Sequence, residues 1–146
     1  QSKACPWEEC LRVPLLIRYP RLAPLPRSEE ALALNIDLAS TFAELARVPG
    51  PAGRDGTSLV RAIDGTLRSP REDILIEFYS GAVRTYVGLR DRQWKYIEYA
   101  SGESELYDLA ADPWELENLA LQPEQAERVG SMRARMQLLW PGWPGE

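Results

Sequence analysis

Histidine is absent from the 146 residues. Imidazole is the commonest acid/base group and metal ligand near neutral pH. Its absence excludes a Ser-His-Asp or Cys-His nucleophilic site and a Cys/His zinc site within this chain. Lysine is scarce: Lys3 and Lys95 stand against 15 arginines. That bias is a codon-usage signature, and it also suits bidentate pairing with carboxylates. Cysteine occurs twice, as Cys5 and Cys10. A lone C-x4-C falls short of the four ligands a structural metal needs. A disulfide closing so short a loop is one option, but two cysteines make no framework, and the expectation is two free thiols. No run approaches roughly 18 apolar residues, so nothing reads as a membrane span, and no signal-peptide pattern opens the chain. The net charge of −5, from 22 acids and 17 bases, argues against nucleic acid as a partner, which calls for a basic face.

What is present is the composition of a globular chain, 45% apolar and 27% charged, of about one domain's length. VPLLIRY (13–19) is a nearly unbroken apolar run, as expected for a central parallel strand covered on both faces. Pro20, Pro24 and Pro26 break the chain after it. Residues 28–34 are ambiguous and are read as a short strand or a loop. Asp37 is expected to cap a helix whose apolar stripe is Leu38, Phe42, Leu45 and Ala46. Pro49-Gly50-Pro51 ends it, and a short helical piece follows over 58–63. The chain opens on Gln1, and the stretch before the apolar run reads as the end of a longer loop. A single parallel strand has nothing to pair with, so the first part is expected to be cut from a larger sheet.

The second part has a different texture. ILIEFY (74–79), VRTYVGL (83–89), QWKYIEY (93–99) and ELYDL (105–109) are β-branched and aromatic, and turn residues separate them. They predict an antiparallel meander with Ile74, Ile76 and Phe78 on one face. Asp112-Pro113 signals a short helix through Leu119. Pro123 opens a longer one, with Val129, Met132, Met136 and Leu139 as its stripe. The expected class is α/β, or α+β as an isolated piece: a strand and helix of a parallel-sheet domain (1–70), then a four-stranded antiparallel sheet with a C-terminal helix (71–140). A flexible Pro/Gly-rich tail (141–146) closes the chain.

The order Lys3, Trp7-Glu8-Glu9, then Arg12-Val13-Pro14-Leu15-Leu16-Ile17-Arg18-Tyr19-Pro20 resembles the sulfatases of the alkaline-phosphatase-like superfamily. NIDLASTFAELARV (35–48), with Ser40 where a proline is usual, agrees in the same order. So do DGTSLVRAIDG (55–65), VRT (83–85), WKYIEY (94–99) and ELYDLAADPWELENLA (105–120). The resemblance covers nearly the whole chain. It implies a C-terminal fragment of a sulfuric ester hydrolase in which Lys3 contacts the sulfate group. A formylglycine nucleophile and calcium are expected in the intact parent, and no cofactor in this chain. The nucleophile motif, C/S-x-P/A-x-R, fits neither cysteine: Cys5 has Trp7 and Glu9 at the second and fourth following positions, and Cys10 has Arg12 and Pro14.

Among other residues, Arg84 is a substrate-binding candidate, set against a surface ion pair. Glu8 and Glu9 are adjacent and point apart, so they share no acid/base site. Glu115 and Glu117 are expected to decorate the short helix, and Asp108 and Asp112 to serve a turn and a cap. The expected partner is the missing N-terminal part of the parent. Two alternatives stand beside this reading. One is a free-standing module that binds or dimerises through the 13–19 strand. The other is a piece of a phosphodiester or phosphonate ester hydrolase. Substrate and compartment are not fixed by these residues.

Overall fold

The computed structural model describes residues 5–50, 52–53, 55–80 and 83–140, the side chains of Val83 and Arg84 excepted. In chain order its elements are helices α1 (Glu8–Leu11), α2 (Asp37–Ala46) and α3 (Val60–Ile63), strands β1 (Ile74–Ser80), β2 (Val83–Arg90), β3 (Trp94–Tyr99) and β4 (Ser104–Asp108), a 3-10 turn at Pro123–Gln125, and helix α4 (Ala126–Leu139). They fall into two compact units. One joins the described residues up to Pro14 to those from Asp73 onward; the other is Leu15–Glu72. This division differs from a single cut near residue 70, because residues before Pro14 group with the sheet.

The sheet is the expected meander, in the order β1-β2-β3-β4 with every pair antiparallel. Alternation along the strands sends apolar side chains to both faces. On one face Val87, Leu89, Tyr96 and Leu106 pack against Met132 and Met136 of α4, with Leu75, Trp94 and Val129 around them. On the other, Ile76, Tyr86, Ile97 and Tyr107 form a second cluster with Ile74 and Phe78, as the period of two predicts. Phe78 stacks on Tyr86 at 5.5 Å, and Tyr86 meets Tyr99 edge-on at 5.8 Å. Between Phe78 and Tyr79 the β1–β2 register slips, leaving Thr85 unpaired with β1; its carbonyl accepts the Ala100 N–H instead. Helix α4 is pinned at its flanks by Arg135, which pairs with Asp73 and Asp91, and by Arg133 on Glu98. Leu139, the last member of its expected stripe, is exposed.

Three local expectations are corrected. Residues 13–19 form no strand, and Leu16 is 92% exposed. A strand exists only where a neighbour takes its backbone hydrogen bonds, and among the described residues no strand pairs with this run. Residues 28–34, left open between strand and loop, are irregular, and the Ser69 hydroxyl accepts the Leu32 N–H. No helix runs from Asp112 to Leu119: Glu115 has φ 56°, in the left-handed region that interrupts a helix. The stretch instead lies along β4, where Asn118 accepts the Leu106 N–H and donates to the Ser104 carbonyl, and the Leu119 N–H reaches the Leu106 carbonyl.

The third correction concerns α2, which buries its polar side. Asp37, Ser40 and Thr41 are buried, while Phe42 of the expected stripe is 64% exposed. Asp37 does not cap the helix. Its carboxylate accepts the Leu34 and Thr57 N–H groups and forms a two-pronged pair with Arg71, both contacts at 2.5 Å. Burial alone would raise the Asp37 pKa, but these bonds outweigh it and hold the carboxyl below its ordinary value. Ser40 donates to the Gly56 carbonyl, and Thr41 accepts the Leu59 N–H. Arg27 closes α3 by donating to the Ala62 and Ile63 carbonyls.

Two glycines should respond oppositely to alanine. A Cβ on Gly88 would lie 2.8 Å from the Tyr96 carbonyl oxygen inside the sheet, whereas one on Gly130 in α4 meets nothing. Urea denaturation of this chain should show Gly88→Ala losing about 1–3 kcal/mol and Gly130→Ala gaining about 0.5–1 kcal/mol. The same sign for both would contradict this packing.

Candidate functional site

The period of two along β3 puts Lys95 on the same face as Ile97, opposite Tyr107 of β4 in register. Lys95 is completely buried. An ammonium presents three donors and demands three acceptors when taken out of water. Here Lys95 Nζ donates to the Pro6 carbonyl at 3.0 Å and is ion-paired with Glu8 Oε1 at 2.9 Å and Glu115 Oε1 at 2.6 Å. Arg90 of β2 adds a forked pair to Glu8, at 2.9 and 3.1 Å. The Glu8 N–H donates to Glu115 Oε2 at 2.5 Å. Two cations and two carboxylates thus balance.

The group ties the segment Pro6–Glu8 to the sheet. Helix α1 then turns the chain through the Cys10 and Leu11 N–H groups on the Trp7 carbonyl. That turn brings Cys10 back to Cys5 with Cα atoms 6.0 Å apart, and the two form a disulfide. The expectation of two free thiols is corrected: the spacing was readable, but the intervening helical turn that makes it bondable was not.

Burial alone would raise the Glu8 pKa; hydrogen bonds from Arg90 and Lys95 outweigh it and hold the carboxyl below its ordinary 4.5. Tyr107 beside the group is pushed up to about 12 by burial and then by the charge of Glu105.

Sequence reasoning missed this cluster. Glu8 and Glu115 are 107 residues apart, and no local pattern links them. The one available signal was a lysine in a strand of alternating apolar residues. Asp108 behaves as expected, accepting the Ala110 N–H in a turn; Asp112 accepts the Glu117 N–H but caps no helix, since none follows it. Of the predicted site residues, Lys3 lies outside the described residues. Arg84 pairs through its backbone register with Tyr79, and its side chain also lies outside the description. Among the described residues there is no group of three or more His, Cys, Asp or Glu that could hold a metal ion.

A four-stranded antiparallel sheet backed by one C-terminal helix makes this a mixed α/β chain, an arrangement shared with solved sulfatase structures. The family described as N-sulphoglucosamine sulphohydrolase, C-terminal, matches residues 2–140, and the chain belongs to it as a sulfatase C-terminal portion. It is 32% identical over 142 residues to N-acetylglucosamine-6-O-sulfatase of Bacteroides thetaiotaomicron, covering 91% of this chain and 25% of that protein. It is 38% identical over 125 residues to choline-sulfatase of Rhizobium meliloti, covering 80% of this chain and 23% of that protein. The solved structure of BT4656 in complex with its substrate D-glucosamine-2-N,6-O-disulfate aligns with TM-score 0.83 at 29% identity, over 91% of this chain and 29% of that one. The chain spans about a quarter of the length of the curated relatives it matches.

Two predictions follow from the geometry. Alkylation of the denatured, unreduced protein should modify no thiol, and prior reduction should expose two; modification without reduction would refute the bridge. The second concerns acid. A carboxyl whose folded pKa is depressed stabilises the fold above its unfolded pKa, and this is lost as pH falls through the lower folded value. Thermal melts of this chain should therefore fall steeply below about pH 4.5, and Glu8→Gln should flatten that limb. An unchanged acid limb in the variant would show that Glu8 carries none of it.

Proposed function

We propose that the protein to which this chain belongs hydrolyses sulfate esters, and that this chain is the C-terminal part of that enzyme, inactive alone. The observation that carries the reading is the family match across residues 2–140, which includes Lys3 and the Trp7–Pro20 stretch. In this reading the nucleophile, a formylglycine, and the calcium ligands belong to the remaining part of the protein, because neither cysteine fits the nucleophile motif and both are bridged. Lys3 would place a cation against the sulfuryl oxygens, where negative charge is concentrated during transfer. Arg84 is a second candidate for substrate contact. The remaining part is also the proposed partner of the exposed Leu15, Leu16, Ile17 and Phe42. The disulfide favours an oxidising compartment. The relatives are named for an amino-sugar sulfate and for choline sulfate, so the substrate class is kept at sulfate esters.

A second reading has a specific observation behind it. The phosphonate monoester hydrolase of Agrobacterium radiobacter aligns with TM-score 0.50 at 27% identity over 68% of this chain and 24% of that one. A related C-terminal portion therefore also serves phosphorus esters.

The test is expression of the full-length gene product with formylglycine maturation, assayed on an aryl sulfate and an aryl phosphonate ester. Sulfate turnover in the full-length protein, none in residues 1–146 alone, and a strong loss in Lys3→Ala are expected. Preference for the phosphonate would move the assignment to the second reading. Saturable sulfate turnover by residues 1–146 alone would refute the placement of the nucleophile.

A further inference from the structure

We infer that the Cys5–Cys10 disulfide and the Lys95 ion cluster form one redox-sensitive latch on the segment between the two cysteines. The two constraints meet on the same residues. Pro6 and Glu8 lie inside the short loop that the bridge closes. They supply a carbonyl to Lys95 and a carboxylate to both Lys95 and Arg90. The Glu8 N–H reaches Glu115 from the same loop. Side chains from β2, β3 and the loop after β4 therefore grip a segment whose ends are covalently joined.

Joining the ends removes conformations from the undocked segment, so less entropy is lost when Pro6 and Glu8 take their places. Linkage makes the effect reciprocal: a docked segment keeps the two sulfurs together and favours the bridge over two thiols. The burial of Lys95 gives this coupling its leverage. When the segment leaves, the ammonium keeps Glu115 and loses the Pro6 and Glu8 acceptors, inside a site where it is completely enclosed. Reduction thus turns a satisfied buried cation into one short of partners. Cys5 and Cys10 are each half-buried, so the bridge, and not the ion cluster, is the end of the latch open to solvent. The chemistry is exchange with a dithiol. One thiolate of the reductant attacks a bridge sulfur, and its second thiol resolves the mixed disulfide. The reductant leaves as a cyclic disulfide, and Cys5 and Cys10 take up two electrons and two protons.

The test is a titration of the full-length gene product with mixtures of reduced and oxidised dithiothreitol. Samples are quenched in acid, alkylated and read by mass on the tryptic peptide 4–12, which holds both cysteines. Lys95→Met should make the bridge about tenfold easier to reduce, a rise of about 30 mV for this two-electron couple. Val129→Ala, which loosens the packing of α4 on the opposite face of the sheet, should leave the midpoint where it was. In the reduced protein the Glu8 N–H, followed by hydrogen exchange over 6–12, should lose protection by about tenfold or more. Near-ultraviolet circular dichroism confirms the fold of each variant. Should Lys95→Met fail to fold, the near-isosteric Glu8→Gln weakens the same grip and is expected to shift the midpoint in the same direction. An unshifted midpoint in the folded variant would overturn the latch. So would an equal shift in Val129→Ala, or protection of Glu8 that survives reduction unchanged.

Discussion

The buried ammonium of Lys95 is the constraint on which the sheet unit is organised. A lysine completely enclosed by protein cannot remain charged without acceptors, and no single neighbouring strand provides them. They come from a carbonyl and a carboxylate near the beginning of the described chain and from a glutamate past β4. Meeting the demand of one side chain thus brings together parts of the chain far apart in sequence. It also explains two departures from regular structure. Glu115 takes up a left-handed backbone where a helix was expected, and residues before Pro14 group with the sheet and not with the residues that follow them.

The sheet itself is built on two-sided burial. Its middle strands carry apolar side chains on both faces, so one face is available for α4 and the other holds an aromatic cluster around Tyr86 and Ile97. At β4 the exposed backbone edge is met by the 118–119 hydrogen bonds, which satisfy a strand that would otherwise invite pairing with another chain.

The Leu15–Glu72 unit follows a different rule. Its helix α2 faces its own unit with Asp37, Ser40 and Thr41, and those side chains satisfy the backbone of the irregular 56–59 stretch. Loops lack internal hydrogen bonds, so a helix that packs against one is best served by polar side chains there. Gly56 belongs to the same logic, since a Cβ at that position would fall 2.1 Å from the Ile36 carbonyl oxygen.

How much was legible differs by element. The four strands, their antiparallel order and the Met132–Met136 contact followed from local composition and period, because an antiparallel meander is made from neighbours in sequence. Family membership was legible from the order of short motifs, from Lys3 to Ala120. The apolar run at 13–19 misled because apolarity marks burial or the means for it, whereas a strand needs a hydrogen-bonding neighbour. The stripe on α2 misled for a related reason: period identifies an apolar face without saying which face its own unit will cover. The Glu8–Arg90–Lys95–Glu115 cluster and the Cys5–Cys10 bridge were decided only by tertiary structure. Period and composition describe each residue's own element, while a buried charge or a sulfur bridge depends on which distant atoms the folded chain brings within about 3 Å.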